Sequence, residues 1–298
     1  MGTRRINKAI CNRYKRQRER ENIPRKQTRI TDFFDGHDAN RSLQIQCEEE
    51  IVGIEFFQIN NQKRIISNSE IMRLAESERS FCILGQEPST FGFNVTGLNS
   101  GHTIIQAPTE RPRAYIACHK LLKAWPVEDL CSRDVAVAII DSGMKDAGKL
   151  LVTSVYWDGR IDTFPEVARD AAKLAREKDY TLVMGGDYNA RNVIFGSSTT
   201  DNRGMKIEDI MVTYDLESAN KGSTPTCTAS HPGSVIDATF INSEKSDLIQ
   251  DWRVSQQESF SDHKLICFSI KGPKLKPERL EGKCTSIKRR HSPGTQEG

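Results

Sequence analysis

The run Tyr180-Thr-Leu-Val-Met184 leads straight into Gly-Gly-Asp-Tyr-Asn-Ala at 185–190. The run reads as a buried strand. The paired glycines are expected to carry the backbone past its last pleat, so that Asp187 and Asn189 project from the end of a sheet. Two residues apart, this carboxylate and this amide fall on one side of the chain. The first can serve as a base or a metal ligand, and the second can hold a phosphate oxygen. Gly-Asp-x-Asn also builds ordinary turns, so the segment alone leaves both readings open.

Further polar clusters sit at the ends of predicted strands. Ile51 to Ile59 is an apolar strand that ends at Asn60, and Phe81-Cys-Ile-Leu84 runs into Gly85-Gln-Glu87-Pro88. Val235-Ile-Asp237-Ala-Thr-Phe-Ile241 holds one carboxylate in an otherwise apolar strand, and Ser261-Asp262-His263 precedes Leu265 to Ile270. Buried strands rarely carry unpartnered acids. Several that do so together imply that their ends converge on one polar site. Taken singly, each cluster has a plainer alternative: a surface turn at Glu87, a cap or loop pair at Asp262-His263, core packing at Tyr156.

In chain order these residues are Gln-Ile-Asn60, Gln-Glu87-Pro, Ser-Val-Tyr156, Gly-Asp187-Tyr-Asn189, Ile-Asp237 and Ser-Asp262-His263. Over residues 50–271 this order and spacing resemble the endonuclease/exonuclease/phosphatase superfamily. Gln-Glu-Pro, Phe195-Gly-Ser197 with Arg203-Gly204 downstream, and Pro225-Thr226 ahead of Ser234-x-Ile-Asp237 resemble in particular the endonuclease domain of non-LTR (LINE-type) retrotransposons. Family members often carry histidines after the Asn-Ala and a Trp before Gly-Ser, where this chain has Arg191-Asn192 and Phe195. These departures flank the site and bear on DNA preference. No reverse-transcriptase segment follows, which suggests a stand-alone or truncated form.

The resemblance implies an α/β four-layer sandwich, with two mixed β-sheets packed face to face and helices on the outside. It also implies a divalent-metal-dependent endonuclease that nicks one strand of duplex DNA and leaves a 3′-hydroxyl and a 5′-phosphate. Such hydrolysis needs a deprotonated water, neutralised phosphate oxygens and a stabilised leaving alkoxide. Mg²⁺, with Mn²⁺ as substitute, takes oxygen ligands and keeps several waters, so one or two carboxylates hold it. Glu87 is then the leading ligand, with Asn60 and Asp262 completing or supporting the shell. Asp187 would orient or deprotonate the water, and Asn189 would hold the phosphate. His263 would contact or protonate a non-bridging oxygen. The family pattern pairs this histidine with Asp237 rather than with adjacent Asp262. Tyr156 would offer its hydroxyl to the phosphate. Thr226 and Ser234 would touch the DNA backbone or buttress Asp237. A repair-type apurinic endonuclease, another phosphodiesterase or phosphatase of the same fold, and an inactive clamp- or DNA-binding module are the competing readings.

Charge is unevenly placed. The net is +3 over 298 residues, yet residues 1–29 hold eleven Lys and Arg against two Glu, and residues 271–298 hold eight against three. The body between is therefore acidic, at −11. Duplex phosphates repel such a body, so a local basic face, the tails, or both must supply the attraction, and tail-borne binding falls steeply with salt. The eight cysteines show no Cys-x-x-Cys and no zinc spacing, and read as reduced thiols. No apolar stretch is long enough to span a membrane, and a monomer is expected.

Residues 1–45 form a charged, weakly hydrophobic segment expected to be disordered before binding. Its clusters, Lys15-Arg-Gln-Arg-Glu-Arg20 and Pro24-Arg-Lys26, suit nuclear import or nucleic-acid contact. Within it, Gln27, Ile30, Phe33 and Phe34 match the box that docks replication proteins on the sliding clamp, PCNA. One 3₁₀ turn would bring Ile30, Phe33 and Phe34 onto one side as an apolar plug. The alternative is that the Phe-Phe pair packs on the chain's own catalytic domain, residues 46–271. The tail at 272–298 reads as a disordered basic extension or a linker remnant.

Within the body, strands are expected at 51–59, 81–85, 103–106, 113–118, 134–140, 150–156, 180–184, 235–241 and 265–270. Helices are expected from a Ser69 cap to Arg79, from Thr163-Phe-Pro165 to Glu177, and over 203–213. His119 is expected to be structural, and Trp125, Trp157 and Trp252 to pack rather than stack on bases.

Overall fold

The computed structural model describes residues 53–229 and 233–271. The clamp-type box and both basic tails lie outside these residues. The strands are β1 (Gly53–Asn60), β2 (Phe81–Gln86), β3 (Thr90–Phe91), β4 (Asn94–Val95), β5 (Thr103–Gln106), β6 (Ala114–Cys118), β7 (Lys123–Pro126), β8 (Val135–Asp141), β9 (Lys149–Tyr156), β10 (Thr181–Asp187), β11 (Leu216–Ser218), β12 (Asp237–Asn242), β13 (Ile249–Val254) and β14 (Ile266–Lys271). The α-helices among the described residues are α1 (Ile65–Ala75), α2 (Glu166–Lys178) and α3 (Asn202–Tyr214).

Two six-stranded sheets form, in the orders β13-β14-β1-β2-β6-β5 and β11-β12-β10-β9-β8-β7, with β3 and β4 as a separate hairpin. Both sheets are mixed: β1 and β2 run parallel, as do β9 and β10, while β14 and β12 pair antiparallel with β1 and β10. The sheets face each other, β1 against β10 and β2 against β9. The apolar layer between them includes Phe56, Leu84, Val152, Val183 and Phe268. The opposite faces are covered as well, by α1 over Phe57, Ile83 and Tyr115, and by α2 and α3 over Leu151, Leu182 and Met184. Strands covered on both sides read as near-continuous apolar runs, which is why they were conspicuous in the sequence. Among the described residues, no helix is long and apolar enough to cross a membrane.

Helix α2 follows the sequence expectation. Ala168, Ala171, Ala172 and Ala175 are buried at helical spacing, and Asp179 ends the helix in the left-handed conformation. Helix α3 is capped by Asp201, whose carboxylate accepts the N–H of Gly204 at 2.7 Å. Helix α1 departs from expectation. It starts at Ile65 after Arg64, which makes no side-chain cap, so Ser69 lies inside the helix. The preceding turn sets this start: the Arg64 N–H donates to the Asn61 carbonyl at 3.0 Å, and the Ser67 hydroxyl donates to Asn61 Oδ1 at 2.9 Å. Of the inward face expected at Ile71, Met72, Leu74 and Ala75, Leu74 is half-buried and the other three are buried.

The glycine pair at 185–186 does not bend the chain away as expected. Both residues lie within β10. A side chain at Gly185 would overlap Gln58 of the facing sheet, and one at Gly186 would overlap the carbonyl of Val155 on the neighbouring strand. Gly185 therefore sets how closely the sheets approach, and Gly186 how closely β9 and β10 pair. Gln58 bridges this contact: its amide donates to the Ala238 carbonyl at 3.1 Å and accepts from the Thr239 hydroxyl at 2.8 Å. Trp252 Nε1–H completes the network on Thr239 at 3.1 Å, a satisfied polar bridge across an otherwise apolar layer. Trp157 and Trp252 are core residues as expected, whereas Trp125 on edge strand β7 is half-exposed.

Candidate active site

Strand direction explains how distant residues meet. The C-terminal ends of parallel strands β1, β2, β9 and β10 share one rim with the N-terminal ends of antiparallel β12 and β14. That rim carries Asn60, Glu87, Tyr156, Asp187, Asp237 and His263.

Asn60 Nδ2 donates to Asp187 Oδ2 at 2.8 Å and lies 3.3 Å from Glu87 Oε2. Two carboxylates from different sheets thus converge on one neutral amide. Glu87 adopts φ +41°, in the left-handed region that non-glycine residues rarely occupy. Its backbone is held there by hydrogen bonds to the Arg113 carbonyl at 2.8 Å and from the Lys63 N–H at 2.6 Å. Lys63 Nζ also approaches Glu87 Oε1 at 3.2 Å.

On the other side of Asp187, His263 Nδ1 lies 3.0 and 3.1 Å from the two oxygens of Asp237, and its Nε2 lies 3.9 Å from Asp187 Oδ2. Burial opposes charge on the His263 ring. The charge and hydrogen bond of Asp237, aided by Cys227 and Asp187, overcome that and hold the imidazolium well above its ordinary range. Burial, then the facing Asp237, push the Asp187 carboxyl up to about 7. Asn189 follows at φ +46°, and its backbone N–H donates to Asp187 Oδ1 at 3.0 Å. Its side-chain amide reaches Asp187 Oδ2 at 3.3 Å and the Trp157 carbonyl at 3.2 Å.

Tyr156 pairs with Asp187 across β9 and β10. Burial, with the negative charges of Glu87 and Asp187, keeps its phenol protonated well above the ordinary tyrosine range. The Arg113 guanidinium sits 5.0 Å from its ring centroid and pairs with Asp134 and Asp158. Thr226 is fully buried, and its hydroxyl accepts the N–H groups of Ile236 and Asp237, each at 3.1 Å. It therefore braces the backbone on either side of the Ile236–Asp237 peptide. Ser234 is half-buried and pairs with Cys227 through its backbone.

Asp262 stands apart. Its carboxylate is 45% exposed and takes Gln62 Nε2 at 3.1 Å and Arg64 at 3.9 Å. Gln62 in turn donates its N–H to Asn60 Oδ1 at 2.8 Å. Asp262 thus reaches the centre through Gln62, in a supporting position. Among the described residues, the group with ligand atoms all within 4.8 Å of one another is Asp187, Asp237 and His263. These groups are of the kind that ligate a divalent cation, His263 once it has given up its proton. The cluster lies one carboxylate away from the Glu87, Asn60 and Asp262 set expected from sequence, with Asp187 adjoining both.

Three neighbours escaped the sequence reading. Arg113 lies at the start of a predicted strand, and nothing marked it as the partner of two acids. Lys63 sits in a turn. Arg203 was noticed only as part of a motif, yet its guanidinium stacks 3.6 Å from the Trp157 ring centroid and donates to the carbonyls of Trp157 at 3.0 Å and Tyr188 at 2.9 Å. His119, expected to be structural, packs edge-on against Phe81. The five cysteines among the described residues are free thiols.

Comparison with known proteins agrees with this geometry. A family described as "Endonuclease-reverse transcriptase" matches residues 150–267. The solved endonuclease domain of TRAS1, a telomere-specific non-LTR retrotransposon, is 25% identical, with a TM-score of 0.60 over 74% of this chain and 98% of that one. The AP endonuclease LMAP from Leishmania major is 13% identical, with a TM-score of 0.58 over 74% and 88%. The APE2 catalytic domain from Xenopus laevis is also 13% identical, with a TM-score of 0.52 over 74% and 94%. No curated protein sequence matches the chain. A sandwich shared with these structures and a metal-capable acidic and histidine centre on its rim make this chain a metal-dependent hydrolase of nuclease type, similar over residues 150–267 to the endonuclease-reverse transcriptase family.

Proposed function

We propose that this enzyme nicks one strand of duplex DNA in the manner of a retrotransposon endonuclease, leaving a 3′-hydroxyl and a 5′-phosphate. The observation that carries this reading is the continuous polar line Glu87–Asn60–Asp187–His263–Asp237, assembled from both sheets. Its oxygen-rich end suits Mg²⁺, or Mn²⁺ in its place. Two carboxylates there share a single neutral amide, and a hard cation that keeps its own waters needs no more than that. Glu87, Asn60 and Asp187 would hold it, with Asp262 supporting through Gln62. When bound, the ion supplies Lewis-acid stabilisation of charge developing on the phosphate.

The chain's own groups divide the remaining work. Asp187, whose carboxyl burial and the facing Asp237 raise to about 7 in the metal-free protein, is the group that would take a proton from water beside the ion. Asn189 fixes that carboxylate and presents an amide to the phosphate. His263 is charged and offers Nε2–H to a non-bridging oxygen, while Asp237 orients it through Nδ1. Tyr156 stays protonated and donates its hydroxyl to the phosphate. Lys63, Arg64, Arg113 and Arg160 stand around the centre, each paired with an acid, so the net attraction for duplex phosphates falls to the basic tails.

The test is conversion of supercoiled plasmid to open circles with Mg²⁺, alongside intact duplex, abasic duplex, RNA and a soluble inositol phosphate. Preference for intact duplex supports the nicking reading. Cleavage confined to abasic duplex would favour repair-type chemistry, the activity named for the Leishmania AP endonuclease whose fold this chain shares. We also propose that the box at Gln27, Ile30, Phe33 and Phe34 recruits the enzyme to the sliding clamp in the nucleus.

A further inference from the structure

We propose that the β3–β4 hairpin is an aromatic wedge that unstacks one base step of the DNA duplex beside the scissile phosphate. The proposal deepens the nicking reading and rests on it for the choice of DNA as the partner. Phe91 is 82% exposed and Phe93 is 53% exposed, flanking Gly92 at the tip. Two phenylalanines held in water are uncommon on a surface element that is otherwise well anchored.

The anchoring is extensive. Asn68 of α1 donates to the carbonyls of Ser89 and Thr96, at 3.4 and 2.6 Å, and the Thr96 N–H donates to the Ser89 carbonyl at 2.9 Å. Gln106 Nε2 bonds the Phe93 carbonyl. Gly92, at φ +59°, has open space where a side chain would stand, so the turn is free to enter a groove. The aromatic rings are therefore displayed on a fixed support.

Location and charge select the occupant. Phe91 follows Glu87 by four residues, a reach of at most ~14 Å, or roughly four base-pair steps at 3.4 Å each. The Arg111 N–H donates to the Gly92 carbonyl at 3.0 Å, which ties an exposed cation to the hairpin tip. Arg111 adopts φ +50° and makes no side-chain ion pair among the described residues. Apolar wedges beside free arginines suit the minor groove, where the ring parts a base step and the cation meets the phosphate-lined walls. A purely apolar protein partner would leave Arg111 unmatched.

The experiment uses the full chain with Ca²⁺ in place of Mg²⁺ to suppress cleavage, and a panel of duplexes carrying 2-aminopurine at successive positions. Wild-type protein is expected to raise fluorescence at a defined step, and the Phe91→Ser/Phe93→Ser variant to abolish that rise. With Mg²⁺, the variant's KM for duplex should increase at least about five-fold with kcat nearly unchanged. Its melting temperature should match wild type, because both rings lie on the surface. Arg111→Ala should lower the salt dependence of binding by about one ion. Absence of unstacking by the wild type, or equal unstacking and KM in the variant, overturns the wedge. Nicking without unstacking removes the wedge and leaves the nuclease reading intact. Unstacking by a protein that nicks none of the substrates does the reverse.

Discussion

Asp187 and Asp237 face each other directly across antiparallel strands β10 and β12, each only 2% exposed. Like charges so placed repel, and burial strengthens the repulsion. The pair persists because Asn60 and Asn189 bond Asp187 and because His263 bonds Asp237 while standing 3.9 Å from Asp187. Fold stability is thus set against the chemistry of the site.

Replacing Asp187 by Asn is therefore expected to stabilise the metal-free protein while abolishing nicking. The folded carboxyl titrates near 7, against 3.8 for an ordinary aspartate. The native state then binds the extra proton between these values, so stability is full below the lower one and is lost as pH rises through the upper. An amide cannot ionise and is spared that loss, which amounts to about 4 kcal/mol at pH 8. Thermal melts of both proteins at pH 5 and pH 8 measure it. Adding Mg²⁺ or Mn²⁺ should raise the wild-type melting temperature and leave the variant nearly unmoved. Equal responses would remove Asp187 from the metal site.

Asp237→Asn should shift the whole pH–rate profile toward acid. Without Asp237, burial of the ring dominates and the His263 pKa falls, so the alkaline limb moves down. Asp187 loses its facing charge, so the acidic limb moves down as well. Activity lost at pH 8 should partly return near pH 6. Proton NMR titration of the His263 ring reports the first shift separately. An unchanged profile would mean that Asp237 does not set the charge of His263.

The nine strands read from the sequence are all present, because both sheets are covered on both faces and their apolar runs are unbroken. The short elements β3, β4, β7 and β11, together with β13, had no such signal. They lie at edges or in the separate hairpin, where polar and apolar residues mix. The rim residues were legible because acids and amides at the ends of apolar strands are conspicuous. Their partners were not: Lys63, Arg113 and Arg203 act through contacts formed only when remote strands and turns meet. The glycine pair at 185–186 shows the same limit. Its local meaning suggested a bend, while the clash with Gln58 that explains Gly185 lies on another sheet.

Arg203 gives a third prediction. Its guanidinium stacks on Trp157 and donates to the carbonyls on either side of the Asp187 loop, Trp157 and Tyr188. Removing it leaves the Tyr188 carbonyl without its donor, leaves the Trp157 carbonyl with Asn189 alone, and uncovers the indole. Arg203→Ala should destabilise the fold by about 2–4 kcal/mol in urea titrations. Arg203→Lys should recover little of it, because an ammonium cannot stack and fork at once. Nicking by Arg203→Lys at low temperature should show reduced kcat with a smaller change in KM, as befits a positioning residue. Full stability in the lysine variant would show that charge alone suffices.

The last prediction concerns the segment before the catalytic domain. A hydrophobic triplet at Ile30, Phe33 and Phe34 in a polar stretch of mixed charge gains from burial only if something apolar receives it. A peptide of residues 22–40 should bind PCNA, and Phe33→Ala with Phe34→Ala should remove binding. Salt separates this apolar docking from simple charge attraction: the peptide's affinity for the clamp should fall only modestly between 50 and 200 mM salt, about ten-fold or less, whereas polycationic binding to DNA falls far more steeply. Fluorescence anisotropy with both peptides measures each quantity. Equal binding by the wild-type and double-variant peptides would show that the polar and charged residues, and not the aromatic plug, drive the association.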